Sequence, residues 1–279
     1  MPRNIFLFIL LIALIFGCDN NKSTNNKTMS ETIHIAFLHH STGQVVWQGN
    51  TSKIAFKLFK KSDVTKWFST FNKQNNTNYQ IESFNFPKET PYGWKNYPYD
   101  YYNIWVKNAG SKEYMQEPTL EMLTKKYKVI IFKHCFPVSN IIADSGNPNV
   151  VSEEKRIENY KLQYIKLKEK MKSFPETKFI VWTGAALLKA NTTEDNAIRA
   201  REFRDWVINV WDEPKDNIFI WDFFDLETES GLYLKPEFAA GQKNSHPNKT
   251  FAGKAAPLFC KRIVEVIEGR GDTHSLTLK

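Results

Sequence analysis

Cysteine is scarce: three residues in 279, one of them at position 18. That excludes a disulfide-stapled miniprotein, and no Cys-x-x-Cys or His-x-x-x-His spacing offers a ready metal site. Twelve glycines and twelve prolines are too few for a collagen-like or low-complexity chain. The longest apolar run, residues 5–16, is shorter than the roughly 20 residues a membrane-spanning helix needs. Acidic surplus is also missing. Thirty-eight Lys and Arg against 30 Asp and Glu give a formal charge of +8, scattered along the chain rather than gathered into an Arg-rich helix or tail. Such a balance favours solubility and anionic neighbours but does not indicate a nucleic-acid partner, and none is expected. What is present is a chain 42% hydrophobic and 14% aromatic. At this length it can bury roughly 70% of its unfolded surface around one sizeable core.

The opening segment MPRNIFLFILLIALIFG has Arg3 followed by an almost unbroken apolar core, the pattern of an export signal. It ends in Ile15-Phe16-Gly17-Cys18, which resembles the bacterial lipobox, with Phe16 bulkier than the usual occupant. The resemblance implies cleavage before Cys18, a lipid on that residue, and membrane attachment through it in a bacterial cell envelope, outside the cytoplasm. An ordinary secretory signal with an incidental cysteine is the alternative. The polar stretch DNNKSTNNKT that follows has the composition of a flexible tether. The expected division is therefore a signal at 1–17, a lipidated cysteine and tether at 18–30, and one domain at 31–279. Cys135 and Cys260 remain within that domain as expected buried thiols, and a disulfide between them is permitted by export but demanded by no spacing.

From residue 31 onward, short apolar runs alternate with amphipathic stretches. Residues 32–38, 79–86, 128–132, 178–182 and 217–221 are β-branched, aromatic and largely apolar, and predict five strands. Helical spacing marks 52–59, 65–72, 197–210 and 251–268. It is clearest over 152–173, where Ile157, Tyr160, Tyr164, Leu167 and Met171 fall three or four apart. Near-continuous apolar strands separated by helices predict a parallel sheet covered on both faces. Residues 87–118 contain PKETPYGWKNYPYDYYNIW and show no obvious element. They are too aromatic for a linker and are expected to form an ordered insertion over one end of the sheet.

Open α/β sheets place their ligands at the carboxyl edge of the strands. Three strand ends are unusual there: His39-His40-Ser41-Thr42-Gly43, Lys133-His134-Cys135-Phe136-Pro137-Val138-Ser139-Asn140, and the late loop Asn244-Ser245-His246-Pro247-Asn248. Each alone reads as readily as polar loop capping. A serine after a strand can expose its hydroxyl, and a late histidine at the same edge can reach back to it as a general base.

An early Ser, a middle Asn and a late His-Pro-Asn together resemble the SGNH/GDSL hydrolase superfamily, in a divergent branch. The resemblance implies a three-layer α/β/α sandwich, flavodoxin-like, with a central parallel sheet of about five strands. It also implies serine-dependent hydrolysis of an acyl or acetyl ester on a small molecule or glycan. By similarity Ser41 is the nucleophile, His246 the base and Asn140 an oxyanion donor, joined by the N–H groups near Thr42. The familiar Gly-Asp-Ser is replaced here by His39-His40-Ser41. The acid usually found three residues before the histidine is replaced by Lys243. Orientation of His246 then falls to Asn244, or to Asp222 or Asp225 after the fifth strand. The glycine expected after strand two has only Gly93 as a counterpart, seven residues beyond Phe86.

His40, His134, Tyr92 and Trp94 are candidate substrate contacts. The insertion's other aromatics can stack on a sugar or form their own core. Two further readings stay open: a noncatalytic carbohydrate- or surface-binding lipoprotein, and a metal hydrolase built on His39, His40, His134 and His246. The favoured reading requires neither metal nor cofactor.

Overall fold

Thr32, Ile33 and Ile35 give the first run its preference for extended backbone, and it forms β1 (Thr32–His39). The computed structural model describes residues 31–59, 61–93, 95–273 and 275–277. The signal, Cys18, the tether and Trp94 lie outside the described residues. After β1 come α1 (Ser41–Gln48), α2 (Lys53–Phe59), α3 (Asp63–Asn75), β2 (Asn78–Asn85), α4 (Pro98–Tyr102) and α5 (Leu120–Lys126). The second half contains β3 (Val129–Phe132), α6 (Ile157–Lys172), β4 (Lys178–Trp182), α7 (Glu194–Trp206), β5 (Ile218–Trp221) and α8 (Phe223–Thr228). A short hairpin, β6 (Ala239–Gly241) and β7 (Asn244–Pro247), precedes the closing helix α9 (Lys249–Ile267).

The five long strands form one sheet in the order β2-β1-β3-β4-β5, every neighbour parallel. Successive side chains point to opposite faces. Leu38, Ile130, Phe132, Val181 and Ile220 thus enter one core, and Phe37, Ile131, Ile180, Trp182 and Trp221 the other. Tyr164 and Leu167 of α6 and Phe203 of α7 cover the first face. Val46 of α1, Phe68 of α3 and Phe259 of α9 cover the second. The fold is a three-layer α/β/α sandwich with flavodoxin-like strand order.

Three local expectations shift. The helix expected from 152 begins at Ile157, because the Ser152 hydroxyl accepts the N–H of Glu154, two residues on, and closes a local turn instead of capping a helix. The helix expected over 197–210 starts earlier, capped by Thr193, and runs into a π-helical turn, Val207–Trp211. The 87–118 insertion contains α4 and a second π-helical turn, Asn103–Lys107, and drives Tyr101 and Trp105 into the first core against Phe86 and Phe132. Cys135 and Cys260 are free buried thiols.

Candidate active site

Strand order fixes where the site forms. The chain adds β2 on one side of β1 and then crosses to lay β3 on the other, so the carboxyl ends of β1 and β3 flank the topological switch point. Leu38 pairs with Phe132, and Ser41 and Cys135 each lie three residues further on. Equal overhang sets them face to face, with Ser41 Oγ 3.3 Å from Cys135 Sγ.

Ser41 opens α1, directly after the N-cap position His40. The first amides of a helix lack acceptors within it and point outward with the positive end of the helix dipole. Gly43 lets this turn sit low: a Cβ there would come within 2.4 Å of His39 Cβ and 2.9 Å of Lys133 Cδ.

The imidazole arrives from the far end of the chain. On β7, Asn244 and His246 project to one side, while Ser245 points inward, accepts the N–H of Leu188 at 3.0 Å and donates to Asn191 at 3.0 Å. This anchored hairpin holds His246 Nε2 2.7 Å from Ser41 Oγ and its Nδ1 2.7 Å from Asn244 Oδ1. Oδ1 also accepts the backbone N–H of His246 at 3.1 Å, which fixes it as the carbonyl end of the amide. Nδ1 therefore carries the proton, and Nε2 is left to accept one from Ser41. Phe136 packs edge-on against the ring at 4.9 Å. Burial lowers the pKa of His246 below its ordinary value, and the nearby Lys133 charge lowers it further.

Beneath this row sits a group that the sequence placed at the sheet edge without a role. Lys133 is fully buried, and its Nζ makes no hydrogen bond among the described residues. Burial depresses its pKa, while Cys135 and Glu227 act to hold the charge. Burial alone would push the Cys135 thiol up. The Lys133 charge and hydrogen bonding with Ser41 and Thr42 outweigh that and hold it below the ordinary thiol range. The register of β1 and β3 is the signal that would have found Cys135.

The other expected residues have partners of their own. Asn140 lies five positions past Cys135, and its amide oxygen accepts from Thr192 at 3.0 Å and Asn196 at 2.7 Å, which turns that oxygen toward α7 and its approach. Asp222 is buried against Thr183 and Arg204, and it caps α8. Asp225 accepts the Ser230 hydroxyl at 3.0 Å. Of the three residues offered to orient His246, Asn244 holds the position on Nδ1. Gly93 donates its amide to Lys88 at 3.2 Å, so that N–H is already spent.

His40 and His134 are buried rather than lining an open surface. His40 Nε2 donates to the Pro87 carbonyl at 2.6 Å, tying the insertion to β1, and His134 Nε2 meets the Tyr164 hydroxyl at 2.7 Å. Burial drives their pKa values down to about 4 and about 3. The Tyr92 hydroxyl accepts from Asn103 at 3.0 Å within the insertion. His39 donates to the His40 carbonyl at 2.9 Å, so each of the four histidines proposed for a metal turns to its own partner. Among the described residues no group of three or more His, Cys, Asp or Glu side chains is placed to hold a metal ion.

No protein-family model matches the chain, and no curated protein matches it. Among solved structures it is similar to a carbohydrate esterase whose active site displays divergent catalytic and non-catalytic binding functions. That match has 16% identity over 85% of this chain and 70% of the other, with a TM-score of 0.42. It is also similar to a Myceliophthora fergusii carbohydrate esterase family 2 enzyme with a carbohydrate-binding domain, at 8% identity over 86% and 68% of the two chains and a TM-score of 0.41. A family two carbohydrate esterase from Cellvibrio japonicus aligns at 12% identity over 86% of this chain and 62% of its own, with a TM-score of 0.42.

Proposed function

We propose that the chain is a serine esterase acting on an acyl or acetyl ester, with acylated carbohydrates the first substrate class to assay. The observation that carries this reading is the row Ser41 Oγ, His246 Nε2, His246 Nδ1, Asn244 Oδ1, with 2.7 Å at each junction. In the first half-reaction His246 Nε2 takes the Ser41 proton as Oγ bonds to the ester carbonyl carbon. The carbonyl oxygen becomes an oxyanion facing the first amides of α1, including that of Thr42. Collapse expels the alcohol, which receives the proton from His246, and leaves an acyl-serine. Water, deprotonated by the same imidazole, then releases the acid and restores Ser41. Asn244 fixes the tautomer and orientation of the ring without supplying negative charge.

The domain is proposed to work at the bacterial envelope, held by a lipid on Cys18. Mass spectrometry of the mature amino terminus tests that part, since an unmodified terminus elsewhere would overturn it. For the chemistry, Ser41→Ala is expected to abolish turnover of p-nitrophenyl acetate and acetylated sugars while thermal unfolding stays nearly unchanged. Retention of a rate within about tenfold would remove Ser41 from the mechanism. Full binding of an acylated glycan with no turnover in the parent protein would favour the noncatalytic reading.

A further inference from the structure

Helix α2 leaves a large apolar face uncovered. Ile54 is 72% exposed, Leu58 70% and Phe59 66%. Phe56 turns inward, packing against the core covered by α1, α3 and α9. At about 100° per residue, Ile54 and Leu58 each lie roughly 160° from Phe56 around the helix. They bracket the direction pointing straight away from the protein, and Phe59, about 60° from Phe56 around the helix, is exposed at its carboxyl end. Exposed aliphatic and aromatic side chains clustered in this way mark an interaction surface rather than ordinary surface scatter.

The charges beside them identify the partner. The segment SKIAFKLFKKS, residues 52–62, carries Lys53, Lys57, Lys60 and Lys61 and no acidic residue. A protein partner of mixed charge does not call for four lysines in an eleven-residue segment without an acid, whereas an anionic bilayer does: the ridge enters the headgroup boundary and ammonium groups meet lipid phosphates. We infer that α2 docks the domain onto an anionic membrane surface, with Ile54 and Leu58 inserted, Phe59 beside them, and Lys57 and Lys61 at headgroup level. This inference requires neither the proposed esterase chemistry nor a lipid on Cys18. A lipid there would supply the second of the two signals that stable attachment needs.

Hydrogen–deuterium exchange on the full chain tests it, using vesicles of phosphatidylcholine alone and of equimolar phosphatidylcholine and phosphatidylglycerol. Any contact made through the amino-terminal segment would be common to both vesicle types, so only protection within 53–61 reports on α2. Those amides are expected to exchange at least about tenfold more slowly on the anionic vesicles at low salt, and the protection should fall at high salt. Ile54→Ser/Leu58→Ser/Phe59→Ser should remove the protection without lowering the melting temperature, because the three side chains contribute nothing to the core. Lys57→Glu/Lys61→Glu keeps the ridge and should weaken binding by at least about fivefold per charge. Unchanged exchange on anionic vesicles, or equal protection on neutral ones, would overturn the assignment. Protection that rises with protein concentration in the absence of lipid would overturn it too, by giving the face to a second copy of the chain.

Discussion

Asn244 and His246 are separated by one residue on β7, and the amide oxygen of the first lies 2.7 Å from Nδ1 of the second. The pair has the geometry of a histidine and its orienting acid, without the charge. An uncharged partner holds the tautomer but stabilises the imidazolium less than a carboxylate would.

The first prediction follows from this division of labour. Asn244→Ala is expected to lower the acylation rate about 10- to 100-fold, the usual cost of losing a group that orients a functional histidine. Asp222→Asn should leave that rate within about threefold, because Asp222 faces Thr183 and Arg204. It should instead lower stability by about 3 kcal/mol, as breaking a buried ion pair does. Stopped-flow acylation and chemical denaturation of both variants check the two halves, and a large rate loss in Asp222→Asn would contradict the assignment.

The second prediction concerns the thiol facing the nucleophile. With Cys135 Sγ 3.3 Å from Ser41 Oγ, any group added to the sulfur intrudes on the space where an ester must bind. Methyl methanethiosulfonate should remove more than about 90% of esterase activity, and a reductant should restore it. Cys135→Ala should turn over substrate within about tenfold of the parent and resist the reagent. An equally sensitive alanine variant would assign the inhibition to another site.

Much of this architecture is legible in the sequence because the relevant forces are local. Val129–Phe132 and Lys178–Trp182 are too apolar to be anything but buried strands, and they fall where the pattern puts them. Ser41 and His246 are legible as residue types at strand ends, though only the fold brings them together across 205 positions. Cys135 and Lys133 carry no role in the sequence reading, because a thiol reads as buried packing and a lysine as one of several polar groups at a strand end until the register of β1 against β3 is known. Asn140 is legible as a residue type after β3, but its partners are not. The 3-10 turn Phe136–Ser139 carries the chain on, so that the Asn140 side chain engages α7 and its approach. Tyr101 and Trp105 show the opposite limit: their composition says ordered, but only packing decides between core and binding surface.

The third prediction reads the buried charge beneath the site. Burial, then Lys133, depresses the pKa of His246, so the acid limb of the rate profile should lie below the ordinary histidine range. Lys133→Met keeps the buried stem and removes the charge. The acid limb should move upward in pH, and Cys135 should react more slowly with the thiosulfonate because its thiol loses the charge holding it low. An unmoved limb together with unchanged thiol reactivity would place the ammonium outside the electrostatics of the site.

The last prediction concerns Glu227, which is fully buried after β5. One oxygen accepts the N–H of Ala186 at 2.9 Å, and the other makes no hydrogen bond among the described residues. Burial raises its pKa to about 8 from an ordinary 4.5, against the opposing pull of the Ala186 hydrogen bond and Lys133. A raised folded pKa means that the folded state holds its proton more tightly than the unfolded chain does. The associated stability is fully present below pH 4.5 and is lost as pH rises toward 8. Gln at this position mimics the protonated acid and still accepts from Ala186, but it does not titrate. The stability gap between Glu227→Gln and the parent should therefore widen from pH 4.5 to 8, by up to about 1.4 kcal/mol per unit, and level off above that. His39, His40 and His134 titrate with the opposite sign at lower pH, yet they are common to both proteins and cancel in the difference. Urea unfolding of the two proteins across this range is the measurement, and parallel profiles would show that Glu227 is already ionised in the folded protein at neutral pH.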